Sequence, residues 1–102
     1  MNDIIVGAFE MLRVIACDDD RNMLGMLENC VKEYMEDHNV STQWQYLAYE
    51  NGIDLVYDLE HTISELKEIF ILDVKLKNDN GITIAKTIRS KKRNAAIIFI
   101  SG

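Results

Sequence analysis

The chain has 102 residues, enough for one small domain. Hydrophobic residues make up 48% and charged residues 27% of the sequence, which excludes a disordered chain and indicates a globular core. The net charge of −6 argues against binding to nucleic acid or to an anionic membrane and favours a cation or a basic partner.

The first ten residues are predicted to be an N-terminal extension, followed by a domain that spans 11–102. They lack the basic start of a signal peptide, and the chain has no apolar run long enough for a transmembrane helix. Cys17 and Cys30 match no metal or disulfide spacing, so both are expected to be small core residues. These features favour a reduced, cytoplasmic location.

The first predicted strand, 13–17, runs into three aspartates, Asp18, Asp19 and Asp20. A helix follows over about 21–36, with Asp20 as its cap. Its apolar stripe consists of Met23, Leu27, Cys30, Val31 and Tyr34.

Residues 42–49 alternate between apolar and polar side chains, which predicts a half-exposed strand at the edge of a sheet. Asn51-Gly52 then breaks the chain, and a second helical stripe follows. That stripe consists of Ile53, Val56, Leu59, Ile63 and Leu66.

The apolar run 69–72 is typical of a strand buried on both faces of a parallel sheet, and it ends in Asp73. Open α/β sheets bind ligands at that end of their strands, but an aspartate there also commonly caps a helix. Taken alone, Asp73 allows both interpretations.

A turn-rich segment over 75–81 precedes a third predicted helix. Ile82, Ile84, Ala85 and Ile88 form its apolar face, and the cations Arg89, Lys91, Lys92 and Arg93 near its end complement the helix dipole. The last predicted strand, 95–100, is apolar throughout and leads into Ser101.

The alternation of strands and helices predicts an α/β fold, a doubly wound parallel sheet with helices on both faces. In such a sheet the strand ends at Asp18 and Asp19, at Asp73 and at Ser101 lie side by side. Packed carboxylates repel one another unless a cation lies among them. Ligands that are all oxygen select a hard ion, Mg²⁺ or Mn²⁺.

Four motifs give the chain a resemblance to the receiver domain of two-component response regulators. They are 14–20 (Val-Ile-Ala-Cys-Asp-Asp-Asp), 70–76 (Phe-Ile-Leu-Asp-Val-Lys-Leu), 80–82 (Asn-Gly-Ile) and 98–102 (Ile-Phe-Ile-Ser-Gly). The resemblance covers 12–102. The Ala-Cys pair and the long gap between Asp18 and Asp73 look most like receivers attached to LytTR-type DNA-binding domains.

The resemblance implies a flavodoxin-like, CheY-like fold with strand order 2-1-3-4. It implies that Asp73 accepts a phosphoryl group from a histidine kinase. Asp19, Asp73 and the backbone carbonyl of Lys75 would bind Mg²⁺, with Asp18 acting largely through water. Ser101 would be the switch hydroxyl, and Gly81 would close the loop after the acceptor. The domain would act as a switch for an output domain, expected to be transcriptional, and not as an enzyme.

The chain also departs from the receiver pattern. The proline frequent after the acceptor is absent, and the fifth βα unit with its lysine is missing. We therefore expect poor phosphorylation of this chain, and self-association through the open edge of 95–100. Two alternatives remain: an interaction module that is not phosphorylated, and a phosphohydrolase of the haloacid-dehalogenase type. The second needs an aspartate where Lys75 stands.

Overall fold

The computed structural model describes residues 11–40, 42–61, 67–91 and 94–101, so the predicted extension over 1–10 lies outside the described residues. The helices and strands follow in the order β1 (Met11–Cys17), α1 (Arg21–Asp37), β2 (Gln43–Tyr49), α2 (Gly52–His61), β3 (Lys67–Asp73), β4 (Lys75–Leu76), β5 (Asp79–Asn80), α3 (Gly81–Lys91) and β6 (Ala96–Ile100). Among these helices, none is long and apolar enough to cross a membrane.

Four of the strands form a parallel sheet in the order β2-β1-β3-β6. The short strands β4 and β5 form a separate antiparallel hairpin, so this order is the predicted 2-1-3-4. The prediction of a doubly wound α/β fold is confirmed. The register pairs Cys17 with Leu72 and Asp73 with Ile100, which places the carboxyl ends of β1, β3 and β6 next to one another.

The sheet separates two apolar clusters. On one face, α2 and α3 pack over Ile15, Phe70 and Leu72, which are fully buried. On the other face, α1 packs over Val14, Ala16 and Ile71. Because β1 and β3 contribute buried side chains to both clusters, their sequences are almost continuously apolar.

The buried faces of the helices differ from the predicted stripes. Cys17 is buried as expected, but Cys30 is exposed and Tyr34 is 57% exposed, so their assignment to the core was wrong. Apolar residues cover more than one face of α1. Packing against the sheet retains Leu27 and Val31 from the predicted stripe and adds Leu24 and Met35, which the prediction had left out.

The same shift occurs in the other two helices. Ile53 of α2 is 78% exposed and Leu55, outside the predicted stripe, is buried, whereas Leu59 is buried as predicted. In α3, Ile82 is 47% exposed, and the other predicted residues Ile84, Ala85 and Ile88 are buried. Ile63 and Leu66, predicted to continue the stripe of α2, lie outside the described residues.

A polar side chain caps the start of each helix. Asp20 caps α1 as predicted, accepting the N–H of Asn22 at 2.9 Å. Asn51 Oδ1 accepts the N–H of Asp54 at 2.9 Å, and Asn80 Oδ1 accepts the N–H of Ile82 at 2.8 Å. These side chains satisfy backbone donors that the first turn of a helix leaves unpaired. Arg89 and Lys91 stand in the last turn of α3, whereas Lys92 and Arg93 are outside the described part.

A buried ion-pair network joins the sheet to α2. Arg13 of β1 is 4% exposed, and its guanidinium donates to Glu68 Oε2 at 2.7 Å and to Asp58 Oδ2 at 2.9 Å. Because Glu68 is the register partner of Arg13 on β3, the network fixes two strands and a helix at the end of the sheet away from Asp73.

Candidate functional site

Three carboxylates converge at the carboxyl edge of the sheet. Asp18 and Asp19 follow β1, and Asp73 is the last residue of β3. One carboxylate oxygen from each lies within 4.8 Å of the others. The structure thus brings together the three acidic residues that the sequence singled out.

Asp18 is the most buried member of this cluster, at 5% exposure. Its burial raises the pKa of its carboxyl group above the ordinary value. The backbone N–H of Asp20, which donates to Asp18 Oδ1 at 2.8 Å, lowers the pKa, and the charges of Asp73 and Asp19 raise it further. A raised pKa means that the fully ionised cluster is unfavourable in the absence of a cation.

The loop after β3 contacts both strand ends. The N–H of Lys75 donates to Asp73 Oδ1 at 3.1 Å, and the side chain of Lys75 is exposed. The role of its backbone carbonyl as a metal ligand stays a prediction. The N–H of Lys77 donates to Asp19 Oδ2 at 3.1 Å. These two bonds were not foreseen from the sequence, because nothing in the side chain of Lys77 signals what its backbone does.

Gly81 lets this loop close on the strand end. Its N–H donates to the carbonyl of Val74 at 3.1 Å, and a Cβ at this position would collide with the carbonyl of Asp73. A residue with no side chain is therefore required at this close approach.

A cavity of about 360 Å³ opens onto the cluster. Ser101 stands on its wall, as its position after β6 predicts, and is exposed. Met23 and Leu27 of α1 contribute apolar side chains to the wall of the cavity. They were predicted to be core residues, and nothing in the sequence indicated that they also border the site. The full lining is Asp18, Asp19, Asp20, Met23, Leu27, Asp73, Ile100 and Ser101.

The donor set fits a hard divalent cation. It consists of carboxylate oxygens, one of them on a buried group whose ionisation is unfavourable without a positive charge nearby. The cavity leaves the cluster accessible, so a second anionic group can approach the same edge of the sheet. The carboxylate cluster offers a nucleophile and oxygen ligands of the kind that metal-assisted phosphoryl transfer uses, and Ser101 lies on the wall of the same cavity.

Comparisons with known proteins point the same way. No model of a protein family matches the chain. It is 27% identical over 93 residues to the transcriptional regulatory protein RprY of Bacteroides fragilis (strain YCH46), an alignment that covers 91% of this chain and 35% of RprY.

Two solved structures have the same fold. The response regulator MaeR bound to beryllium trifluoride matches with a TM-score of 0.63 at 22% identity, covering 90% of this chain and 68% of that one. An aspartate-to-alanine mutant of MaeR bound to sulfate matches with a TM-score of 0.60 at 21% identity, covering 88% and 66%.

The similarity to response regulators inferred from the sequence motifs is thus confirmed, and the fold is that of their receiver domains. The chain spans about a third of the length of RprY. The narrower similarity to LytTR-type regulators stays a prediction.

Proposed function

We propose that this chain, which has the receiver fold and is similar to response regulators over most of its length, is the phosphoacceptor part of such a regulator. The observation that carries the proposal is the convergence of Asp18, Asp19 and Asp73 within 4.8 Å at the end of β1 and β3. Residues 11–102 make up the receiver domain in this proposal, and 1–10 precede it.

Asp18, Asp19, Asp73 and the backbone carbonyl of Lys75 would hold Mg²⁺ or Mn²⁺, with Asp18 acting largely through water. When bound, the ion neutralises negative charge on the oxygens of the phosphoryl group. The residues supply the rest: the N–H groups of Lys75 and Lys77 orient the carboxylates of Asp73 and Asp19. Orienting these groups before the reaction lowers its entropic cost.

In the proposed reaction, one carboxylate oxygen of Asp73 attacks the phosphorus atom of a phosphohistidine on a histidine kinase. The O–P bond forms as the P–N bond breaks, and the imidazole of the kinase leaves with the electron pair. The product is an aspartyl phosphate on this chain.

Ser101 would couple formation of the aspartyl phosphate to a conformational change in the rest of the molecule. Its hydroxyl lies on the wall of the same cavity as Asp73 and would donate a hydrogen bond to the phosphoryl oxygens. Forming this hydrogen bond would move the Ser101 side chain towards the phosphoryl group and so favour one of two conformations of the domain surface. That change would switch an output function in the cytoplasm, which we propose to be transcriptional. The chain acts in this scheme as a switch and performs no turnover.

The alternatives fit the residues less well. A phosphohydrolase of the haloacid-dehalogenase type needs a carboxylic acid two residues after the nucleophile, where Lys75 offers only a backbone N–H and an exposed ammonium group. An interaction module without phosphorylation would have no use for three crowded carboxylates, one of which is unfavourably buried.

We further propose that this 102-residue chain self-associates through β6. Within the described residues, β6 pairs with β3 on one side only, and Ile98 and Phe99 are 49% and 45% exposed. An apolar strand with an unpaired edge favours pairing with another copy.

A phosphate-trapping gel tests the function. The full chain is incubated with acetyl phosphate and Mg²⁺, beside the variant Asp73→Ala and a sample with EDTA. A slowly appearing retarded band, absent from both controls, is the expected result. A band of equal intensity in Asp73→Ala would refute the assignment of the acceptor, and turnover of a phosphate ester would support the hydrolase instead.

A further inference from the structure

A groove runs along α2, beside the carboxylate cluster. Two cavities of about 430 and 340 Å³ adjoin there and share Gly52, Ile53 and Asp79 in their linings. We call the continuous depression the α2 groove. Its ends differ in chemistry, although Ile53 and Asp79 line both. The acidic end, near the β4–β5 hairpin, also has Asp19, Glu50 and Asp54 in its lining, and the apolar end also has Val56, Tyr57 and Glu60.

The apolar end presents large side chains to solvent. Ile53 is 78% and Tyr57 is 64% exposed, and they lie one helical turn apart. The ring of Tyr57 is stacked on His61, with ring centroids 4.0 Å apart, and Nδ1 of His61 is 2.8 Å from the carbonyl of Tyr57. An aromatic side chain held in one position loses little freedom when a partner covers it.

The acidic end carries an excess of negative charge: Asp19, Glu50, Asp54 and Asp79 line it together with one cation, Lys77. Glu50 is paired with Arg21 at 3.0 Å, but within the described residues no cation forms an ion pair with Asp54 or Asp79. Asp79 is half buried, and its carboxylate approaches Gly52 so closely that a Cβ there would collide with it. A glycine at the start of α2 therefore makes room for a carboxylate on the floor of the groove.

We propose that the α2 groove binds a partner protein through a short basic amphipathic segment. One apolar side chain of that segment covers Ile53 and Tyr57, and a lysine or arginine next to it lies between Asp54 and Asp79. Charge complementarity favours this occupant, because a basic segment brings positive charge to the acidic end. A second copy of the chain carries a net charge of −6 and would bring further carboxylates there instead.

This proposal is independent of phosphorylation at Asp73. The groove nevertheless adjoins the proposed switch, because Asp19 and Lys77 line its acidic end and are hydrogen-bonded to each other. A bound segment would therefore lie against the β4–β5 hairpin, whose turn residue Lys77 is hydrogen-bonded to Asp19 of the carboxylate cluster.

The experiment is an NMR titration of the isotope-labelled full chain with a synthetic amphipathic peptide of leucine, alanine and lysine. The matched probe is the same peptide with every lysine replaced by glutamate. We expect shift changes at Gly52, Ile53, Tyr57 and Asp79 with the lysine peptide and none with the glutamate peptide.

Two double variants locate the binding surface. Ile53→Ser with Tyr57→Ser should weaken binding of the lysine peptide about tenfold, since truncating central anchors of an interface costs that much. Met26→Ser with Tyr34→Ser is the control, because these α1 residues are 60% and 57% exposed and Tyr34 is stacked on His38 in the same way. The control variant should bind as the unmodified chain does.

Equal affinity of the Ile53→Ser/Tyr57→Ser variant and the unmodified chain would overturn the proposal. So would shift changes confined to α1 or to Asp18 and Asp73, or equal binding of both peptides. If the groove resonances of the free chain shift with its own concentration, the occupant is a second copy and the proposal is wrong.

Discussion

Asp18 has the least exposed of the three clustered carboxylates, and its environment opposes its own charge. Burial raises the pKa of its carboxyl group, and the charges of Asp73 and Asp19 add to that effect. Because the folded pKa lies above the unfolded one, ionised Asp18 destabilises the metal-free fold at neutral pH. That cost decreases as the pH falls through the folded pKa and is gone below the unfolded pKa.

Asp18→Asn should therefore raise the melting temperature of the metal-free chain by a few degrees at neutral pH, because it removes a buried charge while its amide oxygen can still accept the N–H of Asp20. It should also reduce the stabilisation that millimolar Mg²⁺ gives the unmodified chain. Thermal unfolding with Mg²⁺ and with EDTA measures both effects. A lower melting temperature in EDTA, or undiminished stabilisation by Mg²⁺, would contradict this account of Asp18.

Position 81 requires glycine because there is no room for a side chain. Gly81→Ala should destabilise the fold by roughly 1–3 kcal/mol, because the new Cβ meets the carbonyl of Asp73 and the backbone of Val74 must shift. Gly25→Ala is the control: a Cβ there meets nothing within 4 Å, and alanine in a helix should stabilise by about 0.5–1 kcal/mol. Urea unfolding gives both values, and changes of the same sign would count against the close approach at Asp73.

At the scale of elements, the ion pairs of Arg13 hold β1, β3 and α2 together. Arg13→Met should destabilise the fold by roughly 3–5 kcal/mol, because it removes the guanidinium that pairs with the buried carboxylate of Glu68. Arg21→Met removes an ion pair with Glu50 whose side chains are 82% and 48% exposed, so its cost should stay below about 1 kcal/mol. Similar costs for the two variants in urea unfolding would show that burial of the Arg13 network matters little.

The sequence predicted the strands better than the faces of the helices. The apolar run 69–72 is rich in branched and aromatic side chains and is followed by a turn-rich segment, which favours a strand, and β3 lies there. In α1 and α2, apolar side chains occur on several faces, so periodicity alone could not distinguish Leu24 from Cys30 or Leu55 from Ile53. Contacts with the sheet, which are non-local, decide which of them is buried.

The site was predictable to the same extent as the strands. Asp18, Asp19 and Ser101 follow strands and Asp73 ends one, so the parallel order of the sheet brings all four to one edge. The β4–β5 hairpin and the backbone bonds of Lys75 and Lys77 were not predicted, because backbone donors leave no pattern of residue types.

Across the whole molecule, the carboxylate cluster lies at one end of the sheet and the apolar strand β6 at one side of it. Among the described residues, β6 pairs only with β3, so its outer edge is open. Ile98→Lys should shift this chain towards the monomer in sedimentation velocity, because a charge on β6 opposes strand pairing. Ile53→Lys introduces the same charge on α2 and should leave the association state unchanged, since Ile53 lies away from that edge. A monomeric unmodified chain at high concentration would refute self-association.

The most direct test of the account is to find which residue carries the phosphoryl group. The full chain is incubated with acetyl phosphate and Mg²⁺, reduced with borohydride to convert aspartyl phosphate into homoserine, and mapped by peptide mass spectrometry. We expect a small labelled fraction, and all of the label should be at Asp73. The label should disappear with EDTA and in the variant Asp73→Asn. Label at another aspartate, or no label at Asp73 at saturating donor and metal, would contradict it.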